Sequence, residues 1–363
     1  MKSIAEIKTE HLERRANYRD SLFRSPQLRQ LFLELTSRCN LRCEHCGSSC
    51  GDVPQEDLPA PAIHALLEEV RQHFDISGMM LCITGGEPLL RKDFYDIMTN
   101  ARDLGYRWGM TSNATLIDAE AARKLKEAGM KTISVSLDGL PETHDAMRGA
   151  AGAWERAMRG IRALIDCGGF RAIQVTTVVS RRNIGELEAL YEILKGIEID
   201  SWRLTAIEPI GRALLHPELM LTPEDHRRLL TFIKTERLKQ MPLEYGCCHY
   251  LGPDYEREVR DWYYLCSAGR LTASVMANGD IGACLDIERS GKTIQGNIFR
   301  DSFTEVWNNR FGIFRQSLAE RNETCRSCPA RRFCDGDSHH SWDYERDAPR
   351  LCMRGILFDA DEE

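Results

Sequence analysis

Three cysteines in the stretch Cys39-Asn-Leu-Arg-Cys43-Glu-His-Cys46 stand in CxxxCxxC spacing. They directly follow the apolar run Leu31-Phe32-Leu33-Glu34-Leu35, so the three thiols fall on a loop at the end of a predicted strand. Three thiolates suit a cubane iron–sulfur cluster with one iron left open. A closed tetrahedral zinc site needs a fourth protein ligand, and Cys50 or His45 would have to supply it.

The remaining cysteines are unevenly placed. Of fourteen, eight fall after residue 246: Cys247, Cys248, Cys266, Cys284, Cys325, Cys328, Cys334 and Cys352. Cys82 and Cys167 lie between the two groups; Cys82 reads as strand packing and Cys50 as structural. In a reducing compartment such clusters are metal ligands more often than disulfides. For the tail, zinc remains open beside iron–sulfur, since Cys-x2-Cys with further cysteines suits both.

Other candidate groups sit at the ends of predicted strands. Gly85-Gly86-Glu87-Pro88 closes the run from Met79 to Thr84. Two glycines admit a close backbone approach, and Glu87 offers a carboxylate to a cation. Thr111-Ser112-Asn113 closes a strand near 106–112, and Ser136 and Asp138 close the strand from Thr132 to Leu137, on one face by alternation. Glu208 to Arg212 closes a strand at 201–207. Asp286, just past Cys284, is a candidate general base.

The elements that position these groups alternate β-α-β-α. Predicted strands at 31–36, 79–84, 106–112, 132–137, 172–179 and 201–207 are separated by helices near 60–74, 92–104, 118–128, 153–167 and 185–195. That order implies a parallel sheet with helices outside, in a partial, open TIM-like barrel of six β/α units (α/β class), with chemistry at the C-terminal strand ends. Residues 1–30 form a charged helical lead-in. Thr222-Pro223 opens a linking helix running to about Gln240. The expected division is 1–30 lead-in, 31–215 core, 216–244 linker and 245–363 cysteine-rich domain. In the last, Asn278-Gly279 marks a hairpin, a helix covers 302–319, and Trp262-Tyr263-Tyr264 packs the domain.

CxxxCxxC after the first strand and Gly-Gly-Glu-Pro after the second make the chain resemble the radical S-adenosylmethionine (SAM) enzymes. The resemblance implies that Cys39, Cys43 and Cys46 hold a [4Fe–4S] cluster whose free iron binds SAM. It implies that Gly85, Gly86, Glu87 and Pro88 receive the methionyl amino group. Ser136 and Asp138 would hold the ribose or carboxylate, and the segment ending at Arg212 the adenine side. Cys266, Gly279 and Cys284, followed by Cys325-x2-Cys328-x5-Cys334 and Cys352, resemble a SPASM domain, the extension that carries auxiliary iron–sulfur clusters. In that pattern Cys325, Cys328, Cys334 and Cys352 hold the outer cluster. The position expected to serve an inner cluster with Cys266 and Cys284 is Ser338, so that site would borrow Cys247, Cys248, His339 or His340, keep an open iron, or be absent.

The resemblance implies a radical oxidoreductase that takes a hydrogen from a ribosomally made peptide during its maturation. Formylglycine formation on a sulfatase and tetrapyrrole modification are the alternatives, and a non-catalytic iron–sulfur or zinc module is the alternative of a different class. Expected partners are a peptide or protein substrate and an electron donor such as flavodoxin or ferredoxin. Only 30 residues precede the first strand, too few for a leader-binding domain, so a separate leader-binding protein is a further expectation. The net charge of −7 gives no general attraction to nucleic acid or anionic membrane. No apolar run approaches the ~20 residues of a membrane span, and the polar N-terminus lacks a secretory h-region. The expected location is the cytoplasm.

Overall fold

The computed structural model describes residues 3–52, 56–246 and 249–358. Cys247 and Cys248, expected as possible ligands of the tail, lie outside the described residues. Six strands pair in parallel in sequence order: β1 (Gln30–Glu34), β2 (Met80–Thr84), β3 (Arg107–Ser112), β4 (Met130–Ser136), β5 (Ala172–Val179) and β6 (Ser201–Ala206). This is the six-unit barrel the alternation implies.

The sheet does not stop there. β7 (Leu243–Tyr245) adds in parallel beyond β6. β8 (Thr272–Val275) adds in parallel to the outer side of β1, and β9 (Asp280–Gly282) and β10 (Gly296–Asn297) continue antiparallel from it. The result is one ten-stranded sheet. The cysteine-rich segment is therefore fused to the barrel edge by backbone hydrogen bonds. One apolar core runs through both halves, from Leu28 to Met353.

Burial alternates along the strands. In β5 the residues Ile173, Val175, Thr177 and Val179 are buried, while Ala172, Gln174, Thr176 and Val178 are half-buried. The buried row packs on the helices, as period-two alternation requires. The half-buried row faces a polar lumen, where Ser134 Oγ and Thr176 Oγ1 are 2.6 Å apart and Gln174 Nε2 donates to Ser201 Oγ at 2.9 Å.

Nine helices matter here. They are α1 (Ile4–Arg24), α2 (Ala60–His73), α3 (Phe94–Asp103), α4 (Ala119–Glu127), α5 (Pro141–Arg148), α6 (Ala153–Cys167), α7 (Leu187–Lys195), α8 (Pro223–Glu236) and α9 (Phe303–Asn309). A Ser3–Glu6 capping box starts α1 and a Thr222–Asp225 box starts α8.

Two expected helices are shorter than predicted. α8 ends at Glu236, where a turn closed by Lys239 N donating to Glu236 O at 3.1 Å takes over, and Pro242 then leads into β7. The helix expected over 302–319 stops at Asn309. A 3₁₀ turn, Phe311–Phe314, replaces it and lets Arg315 stack on Trp307 and donate to Gly269 O at 2.9 Å. α5 was not anticipated, and it proves central to the site. No helix among the described residues is long and apolar enough to cross a membrane.

Candidate functional site

The cysteine loop hangs from the C-terminal end of β1 and is gripped from two sides. On one side, Arg212 donates Nε to Cys43 O at 2.8 Å and Nη1 to Cys50 O at 3.0 Å, and its own N–H reaches Cys46 O at 3.0 Å. The neighbouring Gly211 has φ +53°, and a Cβ there would lie 2.3 Å from Cys46 O. Only a glycine lets this segment press so closely on the loop.

On the other side stands the end of α5. Arg42 N donates to Arg148 O at 3.1 Å and Glu44 N to Met147 O at 3.0 Å. The Arg148 guanidinium places Nη1 3.4 Å from Cys43 Sγ and Nη2 2.5 Å from Asp138 Oδ2. His45 Nε2 is 3.2 Å from the same oxygen, and Val178 N donates to Asp138 Oδ1 at 2.9 Å. Burial alone would push the Asp138 carboxyl up, but Arg148 and then His45 outweigh it and hold it well below the usual range. The Asp138 carboxylate is thus engaged by Arg148, His45 and the β5 backbone. Arg212 likewise spends its guanidinium on the loop and on Asp52.

Cys39, Cys43 and Cys46 share one small apolar cluster with Leu41 and Ala153. Their thiols are not alike. Burial pushes Cys39 up to about 11 and raises Cys43, whereas a hydrogen bond from the Cys50 thiol lowers Cys46 to about 5 against the effect of burial. Among the described residues, no three His, Cys, Asp or Glu side chains gather tightly enough for a single metal ion. His45 Nε2 faces Asp138, and the Cys50 thiol lies against Cys46 and 3.5 Å from Gly85 O. Three mutually interacting thiols in a shared apolar hollow fit a cluster that brings its own sulfides better than they fit lone zinc.

The Gly-Gly-Glu-Pro turn after β2 lies directly against this loop. Gly86 N donates to Thr36 O at 2.7 Å and Glu87 N to Arg38 O at 2.8 Å. A Cβ on Gly86 would sit 2.0 Å from Arg38 O and 2.9 Å from Cys39 Cβ. The close approach that the glycines permit is therefore to the cysteine loop itself. Gly86→Ala should displace that loop, with an overpacking cost of about 1–3 kcal/mol. The expected readout is a lowered unfolding midpoint together with reduced iron retention after reconstitution, and unchanged values for both would contradict the packing just described.

Glu87 is fully buried. Its carboxylate accepts from Ser112 Oγ at 3.0 and 3.1 Å and from Asn113 N at 2.9 Å, both at the end of β3. Burial outweighs these bonds and pushes its carboxyl up to about 7. Ser136 ends β4 on the half-buried, lumen-facing row.

The tail's groups converge separately. Cys325, Cys328, Cys334 and Cys352 line one apolar pocket with Tyr250 and Met353. Cys266 and Cys334 both line a narrow crevice beneath α1. Ser338 is buried, 2.7 Å from Ser341 Oγ and 3.3 Å from His340 Nε2, while His339 Nδ1 is engaged with Tyr344 Oη at 2.6 Å. Asp286 lies at the mouth, beside the cysteine-loop residue Gly47.

Sequence reasoning missed several groups. His144 and Arg148 of α5 back Asp138, together with His45 of the cysteine loop, and the signal for that helix was present in Pro141 at its start and Gly149, with φ +65°, at its end. His249 bridges Glu208 of the barrel, at 2.6 Å, and Asp337 of the tail. No local spacing announces that bridge.

Residues 33–194 match the profile of the radical SAM superfamily, and residues 266–329 match that of SPASM, an iron–sulfur cluster-binding domain. An AdoMet-dependent heme synthase of Methanosarcina barkeri is 30% identical over 319 residues, covering 84% of this chain and 89% of that protein. The mycofactocin maturase MftC of Mycobacterium tuberculosis is 28% identical over 315 residues, covering 84% and 76%. Streptococcus suis SuiB bound to S-adenosylmethionine superposes with a TM-score of 0.72 at 20% identity, over 92% of this chain and 77% of that one. The anSMEcpe structure with bound AdoMet gives 0.69 at 18%, over 89% and 92%. These two structural likenesses speak to the fold.

Proposed function

The chain belongs to the radical SAM superfamily, and from that membership we propose that it removes a hydrogen atom from a side chain of a tetrapyrrole seated at the barrel mouth. The [4Fe–4S] cluster and SAM, when bound, supply one-electron cleavage of the sulfonium and hence a 5′-deoxyadenosyl radical. Cys39, Cys43 and Cys46 would hold the cluster, and Arg148 and Arg212 keep their loop in place. Gly85, Gly86 and Pro88 shape the turn that aims Glu87 at the methionyl ammonium. Ser136 faces the sugar from the lumen, and Asp138 and Arg212 act by positioning the loop. Cys325, Cys328, Cys334 and Cys352 would hold an auxiliary cluster, and Cys266, which shares a crevice with Cys334, would serve an inner site with Cys284.

The observation that carries the substrate class is a cleft at the outer lip of the cysteine loop. Ile210, Leu214, Leu285 and Ile287 form its apolar wall, and Arg289 and Arg350 stand at its rim. Leu214 is 51% exposed and its neighbour Leu215 75%. Each arginine already meets one carboxylate, Glu34 or Glu288, which fixes its place. Ser48, Ser49 and Asp286 also line it, and an apolar wall with guanidiniums beside it suits an apolar ring bearing carboxylates. The similarity to heme synthases over most of both chains supports the same class.

Anaerobic incubation of cluster-loaded protein with dithionite, SAM and a panel of carboxylate-bearing iron porphyrins should give 5′-deoxyadenosine together with a mass change in one porphyrin. Recovery of every porphyrin unchanged would overturn the tetrapyrrole reading. A peptide substrate is the second reading, supported by the similarity to mycofactocin maturase. Production of 5′-deoxyadenosine with a small precursor peptide, and with no porphyrin, would favour it.

The role given to Glu87 has a pH signature. Its folded carboxyl titrates near 7, so below that pH the group is neutral and must lose its proton to receive an ammonium. SAM affinity should therefore rise with pH, by about tenfold between pH 6 and pH 8. Equilibrium binding to the loaded protein measures this, and Glu87→Ala should bind weakly with a flat profile. A wild-type affinity that falls over the same range would exclude the assignment.

A further inference from the structure

The barrel end opposite the cysteine loop carries a basin of about 570 Å³ that the chemistry above does not use. Arg15 of α1, Arg29 just before β1, Arg107 opening β3, Lys131 in β4 and Arg171 just before β5 line it, with Trp262 on the tail side. No carboxylate lines it. Asp75, which reaches Arg29 electrostatically, stands outside the lining. Glu256, which reaches Arg15 electrostatically, likewise stands outside it, and the hydrogen-bond partners of these guanidiniums are neutral: Arg15 donates to Tyr263 O, Arg29 to Gln27 Oε1 and Arg107 to Ser77 O. In a chain of net charge −7, five cations facing one concavity without a carboxylate in its wall form a local reversal of sign.

We propose that this basin docks a small acidic electron-carrier protein of the flavodoxin or ferredoxin class. The proposal rests on the radical chemistry above but not on the identity of the substrate. Three observations point to that occupant. First, the charge is complementary and spread across the starts of several strands, as a protein surface would engage it. Second, the basin adjoins the tail's iron–sulfur region: Ser267 lines the basin and Cys266 precedes it, while Arg15 lines both the basin and the crevice holding Cys266 and Cys334. Third, β1 to β6 are five to eight residues long, which at ~3.3 Å per residue sets the basin roughly 15–25 Å from the mouth. Carrier and substrate therefore do not compete for space. Each docking moves one electron and no proton. A cluster bound in the tail would give up one electron and the carrier would gain it, the electron being the one released when a substrate radical is oxidised to product.

Titration calorimetry of the cluster-loaded protein with oxidised flavodoxin, at low and at high salt, tests this. Wild type should bind, and more weakly as salt rises. The triple variant Arg107→Glu, Lys131→Glu, Arg171→Glu should bind about tenfold or more weakly. Arg123→Glu, an exposed control on α4, should bind like wild type. No binding by wild type at low salt, or equal binding by the triple variant, would overturn the proposal. So would a triple variant that keeps flavodoxin and loses only inorganic tripolyphosphate, which would assign the basin to a small polyanion. Dithionite-driven release of 5′-deoxyadenosine is read in parallel and should be equal in all three proteins. Its absence from all three would count against the radical function, separately from the basin.

Discussion

Protein carrying Cys43→Ala, supplied anaerobically with iron and sulfide, is expected to hold about four fewer irons per chain than wild type and to release no 5′-deoxyadenosine under reductant. The expectation follows from how the loop is built. Cys43 is the most enclosed of the three thiols, with the Arg148 guanidinium against its sulfur. Removing it leaves Cys39 and Cys46 of the motif, with Cys50 outside the CxxxCxxC spacing and tied up in its hydrogen bond to Cys46. The tail should keep its own iron, because Cys325, Cys328, Cys334 and Cys352 gather in a separate pocket. Iron analysis, electron paramagnetic resonance and product chromatography read the three parts of the prediction. Turnover surviving at even a tenth of the wild-type rate would mean that the radical is generated elsewhere.

Arg148→Met should destabilise the fold by ~3–5 kcal/mol, the range for stripping a buried charge of its partner. Asp138 is wholly buried and would be left with His45 and backbone donors alone. The sign of its pH dependence is fixed. In wild type the Asp138 carboxyl is depressed, so its contribution is present above the unfolded pKa and is lost as pH falls through the folded value. Without Arg148, burial raises that carboxyl instead, and the variant regains stability as pH falls towards the unfolded pKa of ~3.9. The deficit should therefore be largest near neutrality and narrow in acid. Adding Asp138→Asn should recover a substantial part of the loss. Denaturant unfolding of the single and double variants at two pH values measures this coupling, and additive losses would show that the pair does not act as a unit.

What could be read from the chain alone was what is local. CxxxCxxC, Gly-Gly-Glu-Pro and the six β/α units are short-range patterns, and the strands and helices near them fall within a few residues of expectation. α5 escaped because it is only eight residues long, Pro141 to Arg148, inside a stretch that reads as turns. β7 has three residues, too few for a periodic signal. The His249 bridge joins groups 41 and 88 residues away, which no spacing rule connects. The expected division into core, linker and cysteine-rich domain followed composition, while the backbone pairs across it. Gly86 shows a subtler limit. Its need for a bare Cα is legible, but whether ligand or loop fills the space depends on a contact with Arg38 that only the folded chain displays.

The pairing of β8 with β1 has a consequence for how this chain comes into being. Gln30 and its partner Thr272 are separated by 242 residues. A ribosome releases β1 early, and its outer edge then waits for most of the chain to be made. During synthesis that edge presents unpaired amide and carbonyl groups on a largely apolar strand, a template for pairing with another nascent chain. Expression that stalls or is truncated before residue 272 should yield aggregates rather than a working half. Successful recombinant production therefore depends on elongation and chaperone supply as much as on iron.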